Sequence, residues 1–129
     1  MATGFPASTG DVLSAAMYNG LTAFTIGSAQ TADYTPVLND QYQVLILMNK
    51  ATAVNFTIPT NASVAYPVGT AITVLNIGAG ACTIKAVTSG TTTVNSAGAT
   101  AAQPSLGQYK SAVCIKTATD TWYVVGGIA

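Results

Sequence analysis

Residues 51–87 read ATAVNFTIPTNASVAYPVGTAITVLNIGAGACTIKAV and hold a single charged side chain, Lys85. Early in this stretch Val54, Phe56 and Ile58 alternate with Ala53, Asn55 and Thr57, and Pro59 ends the run. Period-two alternation is the signature of a strand with one face buried. Cys82 and Ile84 alternate with Thr83 and Lys85 in the same way, and further on Val113 and Ile115 alternate with Ala112, Cys114 and Lys116. Turn-forming clusters lie between: NASVAYPVG at 61–69, GAG at 78–80, TSG at 88–90, NSAG at 95–98 and TATD at 117–120. Short strands about 8–12 residues apart, punctuated by Gly and Pro, predict a mainly-β chain, an antiparallel β-sandwich or a jelly-roll-like barrel. Two hairpins are expected, 72–77 with 81–87 across GAG and 109–117 with 121–126 across TATD. No internal repeat persists along the chain, so no solenoid is expected.

Two segments depart from simple alternation. VLILM at 44–48 is apolar on both faces, and in ITVLNI at 72–77 Leu75 and Ile77 point opposite to Ile72 and Val74. An antiparallel sheet with one wet face should carry polar residues on one of the two sets. Either the second face is covered by a helix of the same chain, or it meets another subunit. With Ile72 and Val74 as the core set, Leu45, Leu47, Leu75 and Ile77 are the candidate subunit interface.

Ahead of the strands the pattern is different. STGD at 8–11 offers a weak capping box, and Val12, Leu13, Ala16, Met17 and Leu21 recur near helical spacing. Asn19-Gly20 is a natural stop, so a short helix is expected over 11–19. The chain is therefore divided into an N-terminal arm with a short helix, 1–30, and a β-sandwich domain, 31–129. The helix is read either as a lid on the β-core or as an arm that docks on another protein. In the second reading Phe5, Val12, Leu13 and Met17 are the docking contacts.

Composition excludes much. The chain has 129 residues, one domain's worth, and only 6% are charged against about 25% in an ordinary soluble protein. Four Lys face four Asp; Arg, Glu and His are absent, and the net charge is zero. Neither nucleic acid nor an anionic membrane finds an electrostatic footprint here. The N-terminus lacks the pattern of a signal peptide, and VLILM, the longest apolar run, is far too short to span a bilayer. Synthesis in the cytoplasm is the expectation, which leaves the glycosylation-type triplets at Asn55 and Asn61 without a role. Without His or Glu, acid–base catalysis and metal ligation have few candidates. Asp33 and Asp40 read as turn and cap residues. Alternation puts Cys82 with Ile84 and Cys114 with Lys116, so the thiols are expected to face opposite ways and to form no disulfide. GAG lacks the Lys and the helix of a phosphate loop. Trp122 and Tyr123 sit near a hairpin end, where they either stack on a sugar or pack in the core. No catalysis, cofactor or metal is expected.

Three segments carry a resemblance: TNASVAYPVGTAITVLNIGAGACTI at 60–84, GQYKSAVCIKTATDTWYVVGGIA at 107–129, and the lead segment GDVLSAAMYNGL at 10–21. In that order they are similar to a small β-domain of tailed-bacteriophage virion proteins. The resemblance implies a non-enzymatic particle component: a capsid decoration (cement) protein, a head fibre or a tail-fibre module. Such proteins are commonly homotrimers. Because the domain makes up nearly the whole of this chain, a small capsid-decorating protein is favoured over a long fibre. Its partners would be copies of itself and the major capsid protein or another virion protein, on the outer surface of the particle. The alternatives are a tail-fibre or baseplate module and a host-glycan-binding module.

Overall fold

The structure, a computed structural model, describes residues 23–128. It is mainly β, with nine strands in two sheets: β1 (Thr25–Ile26), β2 (Val44–Met48), β3 (Val54–Ile58), β4 (Ala71–Asn76), β5 (Cys82–Ala86), β6 (Thr93–Asn95), β7 (Ser105–Leu106), β8 (Lys110–Ala118) and β9 (Thr121–Gly126). The larger sheet runs β1-β2-β4-β8-β9-β6 and the smaller β3-β5-β7. From β2 to β7 the chain alternates between the sheets at every step. The result is a sandwich-like, two-layer fold, as the period-two pattern indicates.

The sheets are mixed rather than purely antiparallel. β1–β2, β2–β4, β3–β5 and β6–β9 pair in parallel; β4–β8, β5–β7 and β8–β9 pair antiparallel. The hairpin expected across GAG does not form: β4 lies in the larger sheet and β5 in the smaller, so residues 78–80 are a corner between layers. The segment β2–β3 stacks in parallel on β4–β5, and residue n of the first turn lies beside residue n + 28 of the second. Leu45 faces Thr73 in one sheet and Val54 faces Cys82 in the other. Even the corners are hydrogen-bonded, with Gly78 N donating to Met48 O at 3.2 Å and Gly80 N to Lys50 O at 2.9 Å. This close stacking explains the glycines. A Cβ on Gly78 would lie 2.3 Å from the Lys50 nitrogen, and one on Gly80 would lie 1.9 Å from the Thr52 carbonyl oxygen.

The edge of this stack is occupied by residues 25–34. β1 pairs with β2, and Gln30 and Tyr34 make parallel bridges to Met48 and Phe56. Asp33 fixes the same edge, accepting from the backbone N–H of Asn55 at 2.9 Å. At the other end of the chain the TATD hairpin forms as expected, β8 against β9, with Asp120 in the left-handed conformation at φ 56°.

The core fills the space between the layers. Ile46, Met48, Ile72, Val74, Trp122 and Val124 face inward from the larger sheet; Val54, Phe56, Ile58, Ile84 and Leu106 do so from the smaller. Fully burying one such side chain contributes about 1.5–3 kcal/mol. Trp122 meets Tyr66 edge to face, with ring centroids 5.7 Å apart. Cys82 and Cys114 do not face opposite ways: both are buried free thiols directed into this core, one from each sheet. Alternation relates residues within one strand and does not say which set is inward. On β8 the inward set is Ala112, Cys114 and Lys116, the lysine included at 1% exposed.

The helix expected over 11–19, and with it Phe5, Val12, Leu13 and Met17, lies outside the described residues. Among the described residues the helical element is one 3-10 turn, Leu38–Gln41.

Candidate functional site: the outer face of the larger sheet

Because paired residues in register share a face, the strand pairings define the outer surface of the larger sheet row by row. One row runs Ile26, Leu45, Thr73, Val113, Val125 across five strands. Beside it lies Leu47, Leu75, Ser111. On the other side lies Ala71, Ile115, Tyr123, Asn95. None of these side chains is charged. Leu45, Leu47, Leu75, Val113 and Ile115 are half-buried by one another, while Ile26, Tyr123 and Val125 are exposed at 63%, 45% and 50%.

The structure thus brings Leu45, Leu47 and Leu75 together on one face, opposite the inward Ile72 and Val74. Ile77 follows β4 and is also half-buried, its N–H held by Met48 O at 2.8 Å. Ile26, Val113, Ile115, Tyr123 and Val125 complete the face and were not picked out by sequence. The signal existed for Val113 and Ile115, whose alternation is clear, but the lysine in the opposite set obscured which side was wet.

The outer surface of the smaller sheet has the opposite character. Asn55, Thr83 and Ser105 form one row and Thr57 and Lys85 the next. Thr57 shares a 2.6 Å hydroxyl contact with Thr35. One outer face is therefore polar and the other apolar, in a chain whose general poverty of charge would not by itself separate them. A contiguous apolar sheet face makes this surface the candidate for contact with another molecule.

The remaining candidates are structural. Asp33 accepts the backbone and side-chain amides of Asn55, and these hydrogen bonds, the backbone one foremost, hold its carboxyl below the usual range. Asp40 is buried, accepting from the Val37 N–H at 2.9 Å and from the Tyr34 hydroxyl at 2.5 Å. Burial, reinforced by Asp40, raises the pKa of the Tyr34 and Tyr66 phenols. Burial also pushes the thiols up, Cys82 to about 11 and Cys114 to about 12, so neither is a nucleophile near neutral pH. Trp122 is 1% exposed and offers no platform for a sugar; Tyr123, beside it, lines a shallow hollow with residues 95–100. Among the described residues no group of three or more His, Cys, Asp or Glu is placed to hold a metal, and no helix is long and apolar enough to cross a membrane. No protein-family model, no curated protein and no solved structure matches the chain.

Proposed function

We propose that the protein is a non-catalytic structural component of a tailed-bacteriophage virion, acting as a homotrimeric capsid decoration protein that binds and stabilises the assembled shell. The observation that carries this reading is the contrast between the two outer faces. The apolar rows around Leu45, Leu75 and Val113 suit contact between copies, and the hydroxyl-rich face of the smaller sheet suits exposure to solvent on the particle surface. The similarity of residues 10–21, 60–84 and 107–129 to virion β-domains supplies the particle. Stabilisation follows from mass action: a protein that binds the assembled shell and not the free subunits adds RT ln(1 + [L]/Kd) per site.

The segment ahead of β1, residues 1–24, is assigned to shell docking, since residues 25–30 already lie at the edge of the larger sheet. The test is co-sedimentation with purified shells, together with imaging of the intact particle. Full-length protein is expected on the capsid surface, and a variant lacking residues 1–24 is expected to keep its β-structure and lose shell binding. Density on the tail alone would make it a tail-fibre or baseplate module instead. Loss of folding on truncation would show that the arm belongs to the core.

A further inference from the structure

Lys116 is the least expected member of the core. It lies on β8 opposite Trp122 and is 1% exposed. Lysine is almost never fully buried unless it is paired with an opposite charge. Here its Nζ donates at 2.5 Å to the side-chain carbonyl oxygen of Asn61 and at 2.7 Å to the backbone carbonyl of Tyr66, both neutral acceptors. Asn61 is held in place from the other side, its backbone N–H donating to Asp120 Oδ1 at 2.7 Å. The same Asp120 oxygen accepts from the Thr92 hydroxyl at 3.1 Å. The amide nitrogen of Asn61 makes no hydrogen bond to any described residue. A primary amine is thus held against a carboxamide in a site walled by Trp122 and Tyr66, whose rings pack edge to face.

We propose that Lys116 and Asn61 join in an intramolecular isopeptide bond. The lysine nitrogen attacks Cγ of Asn61; the Nζ–Cγ bond forms and the Cγ–Nδ2 bond breaks. Nζ must give up one proton to free its lone pair and a second as the new amide forms; Nδ2 receives both and leaves, so the products are a secondary amide and an ammonium ion. No oxidant or other reactant is needed. An amine is a competent nucleophile towards a carbonyl carbon once it is positioned. Holding two groups in a fixed geometry replaces a bimolecular encounter and reaches effective concentrations of about 10⁵ M or more in well-oriented cases. Burial of the amine also keeps away water, which would otherwise compete for the same carbon. The bond would tie the segment after β3 to β8, 55 residues apart in sequence, and so close a long loop in the unfolded chain.

Intact-mass spectrometry of the denatured full-length protein tests this. The expected mass is about 17 Da below that of the sequence, the loss of one ammonia, and a tryptic digest should contain a branched peptide joining Asn61 to Lys116, uncleaved after Lys116. A Lys116→Met or Asn61→Ala variant should show the full mass of its sequence, a reading that does not depend on whether it folds. A wild-type protein of full mass, cleaved by trypsin after Lys116, overturns the proposal. So does a 17 Da deficit that persists in Lys116→Met, since that would be a succinimide formed within the chain and not a cross-link.

Discussion

Single residues decide whether the two turns can stack. Gly80→Ala would drive a methyl group into the Thr52 carbonyl, a backbone atom that cannot swing aside. The expected loss is about 1–3 kcal/mol, read from urea unfolding. Gly107→Ala is the control: its Cβ would meet nothing nearer than 3.7 Å, a flexible lysine stem, and the change should stay within about 0.5 kcal/mol. The two core thiols give a pH signature. Each has its folded-state pKa raised above the ordinary 9.0, to about 11 for Cys82 and about 12 for Cys114, chiefly by desolvation. The stability this represents is complete below about pH 9 and is lost as pH rises through about 11 and 12. Thermal unfolding midpoints should therefore hold steady up to about pH 9 and then fall, and a Cys82→Ala, Cys114→Ala double variant should fall less steeply. At this scale the glycines of GAG were visible in the sequence but their purpose was not. Close approach to a backbone 28 positions away, as at Gly78 and Lys50, has no local sign.

Among elements, the strands were legible and their partners were not. Alternation located β3, β5 and β8 because burial of one face writes a period of two into the chain. The TATD hairpin was legible because its partners are adjacent in sequence. The parallel stacking of β2–β3 on β4–β5 was not, since the stacked residues share little: Leu47 with Leu75, Ala51 with Ala79 and Ala53 with Ala81 coincide, but Val54 faces Cys82 and Met48 faces Asn76. Asn76 shows how the corner is held instead. Fully buried, it donates to Gly80 O and Leu106 O, each at 2.9 Å, and accepts from Gly78 N at 3.1 Å, so it links the corner to the second sheet. Asn76→Ala takes the side-chain donor away from the Gly80 and Leu106 carbonyls, while Gly78 N keeps its bond to Met48 O. At about 1–3 kcal/mol for each buried group that loses its partner, a loss of about 2 kcal/mol or more in chemical denaturation is expected. Asn76→Asp should be nearly as costly, because it loses both donors and buries a charge.

At the scale of the whole molecule, the two outer faces differ: one is apolar and the other hydroxyl-rich. Leu45, Leu47, Leu75 and Ile77 were readable as a second apolar set because their strands are apolar on both sides. Ile26, Tyr123 and Val125 joined them only through the strand order, which brings β1 and β9 into the same sheet. If copies of the chain meet through this face, a carboxylate at its centre is intolerable in the oligomer and much less costly in the free subunit, where position 75 is half-buried and still reaches water. The decisive measurement is analytical ultracentrifugation of the wild type and Leu75→Asp, with circular dichroism to confirm β-structure. The account predicts a trimer for the wild type and a folded monomer for Leu75→Asp. A wild-type monomer, or a Leu75→Asp protein that sediments as the wild-type oligomer does, would contradict it.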